Sequence, residues 1–130
     1  MVSSPSMKTL QTVTAVIELG AGLALLCFPS TTVALLLGSP LDTPIALTVG
    51  RVGGAGLLSL GVACWLARSD SQSLAARGLV AAMLLYDVAA VAILAFAGIG
   101  FGLRGVALWP AAALHGVMTV WCVASGAAVR

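Results

Sequence analysis

Four stretches of this chain are each about 20 residues long and largely apolar, the length a helix needs to cross ~30 Å of hydrocarbon at ~1.5 Å rise per residue. They run from Leu10 to Phe28, Ile45 to Leu66, Leu79 to Ile99 and Val106 to Val129. Composition agrees: 61% of the 130 residues are hydrophobic and only 8% are charged, whereas a soluble domain carries roughly a quarter charged residues. The expected fold is one all-α transmembrane domain over residues 1–130, a four-helix bundle whose first partner is the lipid bilayer. The net charge of +2 is too small and too scattered to form a nucleic-acid surface.

The breaks between spans carry turn chemistry: Pro29-Ser30, Gly38-Ser39-Pro40, the polar run from Arg68 to Ser73, and the glycine-rich stretch from Gly98 to Gly105. Thr31 to Leu37 is apolar but too short to span, with Ser30 as a candidate N-cap and Gly38 as a candidate C-cap. It reads as a short interfacial helix or a kinked continuation of the first span. Lys8, Arg68, Arg77 and Arg130 fall on one side of the membrane and Arg104 on the other, which predicts that both termini are cytoplasmic. Glu18 inside the first apolar run, with no small-x-small cleavage site after it, predicts that this helix is retained rather than removed as a signal.

Each span carries one ionisable side chain: Glu18, Arg51, Asp87 and His115. Counting rise from the predicted helix ends places Glu18, Asp87 and His115 close to mid-membrane and Arg51 roughly 9 Å from the outer surface. An acid or arginine facing lipid at that depth costs about 2.5–3.5 kcal/mol, so these residues are expected to face the interior and pair. Arg51 is expected to hold Glu18 or Asp87, or an anionic ligand group. Gln11, Thr14 and Glu18 fall at i, i+3 and i+7, and His115, Thr119 and Cys122 at i, i+4 and i+7, so two polar stripes descend toward the same side. Glu18 and Asp87 are the candidate acid and base groups, with His115 as the counterpart in a proton transfer; Arg51, Thr14, Tyr86 and Thr119 are candidate ligand contacts. The competing reading is a structural ion network that fixes helix pairing.

Gly50, Gly54 and Gly61 share a face of the second span and predict close helix packing, within the bundle or against a second copy or a partner subunit. Trp65 and Trp109 fit interfacial anchors. Cys27, Cys64 and Cys122 are odd in number and form no Cys-x-x-Cys pair, so they read as small apolar residues, and no metal site is assigned from them. No cofactor is assigned either: His115 is the sole histidine, which suits a hydrogen-bonded core residue better than a haem ligand.

Gly50-Arg51, Gly53-Gly54 and the following Leu57-Leu58-Ser59-Leu60-Gly61 resemble the Arg-Gly-rich helix of the DoxX-like group of small bacterial four-helix membrane proteins. That resemblance covers mainly the first two spans. It implies an accessory inner-membrane protein, in some members associated with quinone-linked oxidoreductases. Three function classes follow from the sequence. The polar seam can bind a lipid-like small molecule such as a quinone or isoprenoid, with acid/base catalysis as an extension. The chain can be an accessory or structural subunit docking through its glycine face. Third, the acids can carry protons in a small coupled transporter.

Overall fold

The computed structural model describes residues 5–70 and 72–127 as five helices, with no strand among them: α1 (Pro5–Cys27), α2 (Pro29–Leu37), α3 (Pro44–Ala67), α4 (Leu74–Gly100) and α5 (Leu108–Ala127). Four of them, all but α2, are long and apolar enough to cross a membrane. Helices occupy the four stretches expected to span, α1 and α4 each beginning about a turn earlier than hydropathy suggested. The predicted end of the last span at Val129, and Arg130, lie outside the described residues.

Local chemistry accounts for the boundaries. Pro29 and Pro44 open α2 and α3, where proline's fixed φ suits the first turn and its missing N–H is no loss. The Thr43 and Ser73 side chains accept from the backbone N–H of Ala46 and Ala76, at 3.1 and 3.0 Å, and so cap α3 and α4. The short helix exists, but Phe28 rather than Ser30 occupies its N-cap; the Ser30 hydroxyl instead donates to the carbonyl of Leu41 at 2.9 Å. Gly38 closes α2 with φ of 84°, a left-handed backbone that glycine adopts without strain.

The chain packs as two antiparallel hairpins. α1 lies along α3 and α4 along α5, with α1 against α5 and α3 against α4 making the lesser contacts between hairpins. Small residues allow the first pairing. A Cβ on Gly54 would sit 2.7 Å from the Leu26 nitrogen, one on Gly22 2.8 Å from the Gly54 carbonyl oxygen, and one on Gly61 2.8 Å from the Leu19 nitrogen. Gly50 faces Leu41 and Pro29. Of the alternatives the sequence left open for the glycine face, Gly54 and Gly61 thus make the close packing within the bundle. At the opposite end from the chain's N-terminus, α2 meets the α4–α5 loop: the Ala107 N–H donates to Leu35 O at 2.9 Å, and Gly105 lies directly on the backbone of Leu36.

All four long helices converge on a core at the other end, made by Met7, Leu10 and Ala15 of α1, Cys64 of α3, Val80 and Met83 of α4, and Met118 and Cys122 of α5. The outside is apolar too. Val49, Val52, Ile93 and Val120 are each about two-thirds exposed, a surface that matches hydrocarbon rather than water. The fold is that of a multi-pass membrane protein, and its core end leads directly to the buried polar residues.

Candidate functional site

Helical spacing brings Gln11, Thr14 and Glu18 to one face of α1, and that face turns inward: they are 0%, 4% and 3% exposed. Asp87 stands midway along α4 and is equally buried. From α5, His115 reaches it, with Nδ1 2.8 Å from Asp87 Oδ1. Glu18, Asp87 and His115 each offer a donor atom, and these atoms all lie within 4.8 Å of one another. Three separate helices, from both hairpins, thus meet at one polar point.

The polar groups here are under-supplied with protein partners. Gln11 Oε1 and Nε2, Thr14 Oγ1 and Glu18 Oε2 are buried and have none. A buried polar group left unmade costs about 1–3 kcal/mol, so three such side chains in one row are a substantial burden on a small bundle. Two carboxylates near one imidazole also leave negative charge in excess whenever both are ionised, and low dielectric magnifies that excess. The arrangement suits an occupant that donates hydrogen bonds or brings positive charge.

The other candidates fall differently around this cluster. The Tyr86 ring meets that of His115 edge-on, with centroids 5.4 Å apart and planes at 86°. Thr119 donates its hydroxyl hydrogen to the carbonyl of His115 at 2.8 Å, one turn back along its own helix. Arg51 is exposed, and no ion pair joins it to Glu18 or Asp87 among the described residues. It follows Gly50 by one residue, a step of about 100° around the helix, and Gly50 and Gly54 hold the inward face. His115, expected as the acids' counterpart, is the group that meets Asp87.

Gln11, a member of the α1 stripe but not a candidate site residue from sequence, is completely buried with its amide unpartnered. The three cysteines are free thiols, and Cys64 Sγ contacts Met83 Sδ at 3.2 Å within the apolar core. An open apolar groove of about 510 Å³ runs along α5, lined by Ala113, Gly116, Val117, Val120, Trp121 and Ala124. Comparison with family models, with curated proteins and with solved structures finds no match.

Proposed function

We propose that this is a bacterial inner-membrane protein, with both termini cytoplasmic, whose buried seam binds the polar head of a lipid-like small molecule such as a quinone or isoprenoid. The observation that carries this reading is the row of partnerless buried groups on Gln11, Thr14 and Glu18, ending at the Asp87–His115 pair. Such groups gain hydrogen bonds from a polar head that water-free hydrocarbon cannot supply. The apolar groove along α5, which includes the residue next to His115, offers a bed for the ligand's body. Glu18, Asp87 and His115 are the groups that would move a proton if the ligand reacts. The DoxX-like resemblance, with its quinone-linked members, points the same way.

The test is a binding titration of the protein in nanodiscs with short-chain quinones and isoprenoid alcohols, followed by tryptophan fluorescence. Saturable binding that weakens at least tenfold in Glu18→Gln or Asp87→Asn, and is unchanged in Arg51→Gln, supports the reading. Binding that ignores both acids, or no binding across the panel, overturns it.

A second reading, an accessory subunit of a membrane complex, is favoured by Arg51 alone. Arg51 is exposed on α3 next to exposed Val52, and a cation there suits an acidic group on a neighbouring protein or a lipid phosphate.

A further inference from the structure

We propose that Glu18, Asp87 and His115 bind one divalent transition-metal ion of the zinc, manganese or iron(II) class between the two hairpins. The inference rests on these three donors and holds whether or not the seam also takes a lipid-like head group.

The donor set is one imidazole nitrogen and two carboxylate oxygens, a mixed nitrogen and oxygen set that suits these ions and disfavours copper(I), which selects thiolate and thioether. Each donor comes from a different helix, α1, α4 and α5, so an ion here would tie the hairpins together. The spacing is close to what coordination needs. With bonds of about 2.0–2.2 Å, adjacent ligand atoms stand about 3.0–3.5 Å apart; His115 Nδ1 and Asp87 Oδ1 are at 2.8 Å, and all three donors fall within 4.8 Å.

Burial and charge supply an independent argument. Glu18 is 3% exposed and its Oε2 has no partner, so an acceptor atom in a water-poor interior is available for a ligand. Two ionised carboxylates and a neutral imidazole carry two negative charges, which a divalent ion cancels in full. Tyr86, edge-on to His115, holds the imidazole plane. Thr14, one turn from Glu18, and Gln11, two turns away, are buried and unpartnered in turn, and would serve as hydrogen-bonding neighbours of the ligand shell. Soft donors are set apart: Cys64 is engaged with Met83 in the core. Three protein ligands leave at least one coordination position for water or a small molecule.

The test is titration of the chelator-treated full chain in mild detergent with Co2+ and then Zn2+. Expected are one Co2+ per chain, visible d–d absorption without a thiolate charge-transfer band, and displacement by Zn2+. Changes outside a ligand shell already cost about 10–100-fold in affinity, so Asp87→Asn and His115→Ala should each lose at least ~100-fold, while Cys64→Ser and Cys122→Ser bind as the parent does. Absence of saturable Co2+ binding, a thiolate band, or undiminished affinity in both triad variants overturns the proposal. The spectrum of the unaltered protein decides the donor set even if a triad variant does not fold. A protein that binds Co2+ this way but no quinone or isoprenoid would overturn the small-molecule reading and leave this one standing.

Discussion

His115 and Asp87 form an ion pair when the imidazole is protonated, and nearby Glu18 keeps one oxygen unpartnered. The contrast with Arg51 shows what decides membership: angular position on the helix, since the arginine has the stronger charge yet lies off the packed face. Outside the membrane-spanning segments, Asp70 offers a simpler test of residue-scale reasoning. Hydrogen bonds from the Ser73 side chain and backbone, and from the Gln72 backbone, hold its carboxyl below the usual aspartate range. A depressed folded-state value means that the contribution is present above the unfolded-state pKa and lost as pH falls through the folded one. The Asp70 carboxyl should therefore titrate below an ordinary aspartate by NMR, and amide protection in the first turn of α4 should fall as acid passes that midpoint. A midpoint at or above the ordinary value would contradict this.

At the scale of elements, glycine placement separates close helix contact from mere helix dilution. Gly54 is wedged against the α1 backbone, whereas Gly56, half a turn on, has nothing within 4 Å of where a Cβ would stand. Gly54→Ala must push α1 and α3 apart and should cost about 1–3 kcal/mol. Gly56→Ala adds a better helix former in open space and should be neutral or stabilising by up to about 1 kcal/mol. Unfolding in mixed micelles measures both; equal effects would mean that α1 and α3 do not cross at Gly54. The same contact holds α1 and α3 together as one hairpin, with α2 packed on both and meeting the α4–α5 loop at Gly105.

Over the whole molecule, two hairpins meet through a Met- and Cys-rich core at one end and through the Glu18, Asp87 and His115 cluster above it. The four spans were legible because hydropathy and length are one-dimensional properties, and the stripe of Gln11, Thr14 and Glu18 because it lies within one helix. Which acid meets which base was not legible, since that depends on how helices are rotated against each other. Hence Arg51 was expected to hold Glu18 or Asp87 and does not, while a metal-capable grouping built from three helices was invisible to any search for neighbouring cysteines or histidines. The central claim is that this cluster is a site rather than structural glue. Native mass spectrometry of the protein released from mild detergent, with extraction and small-molecule analysis of the same sample, tests it most directly. A reproducible bound mass in the parent, absent from folded Glu18→Gln or Asp87→Asn, is the predicted result; a bare chain, or a bound mass that survives both substitutions, would contradict it.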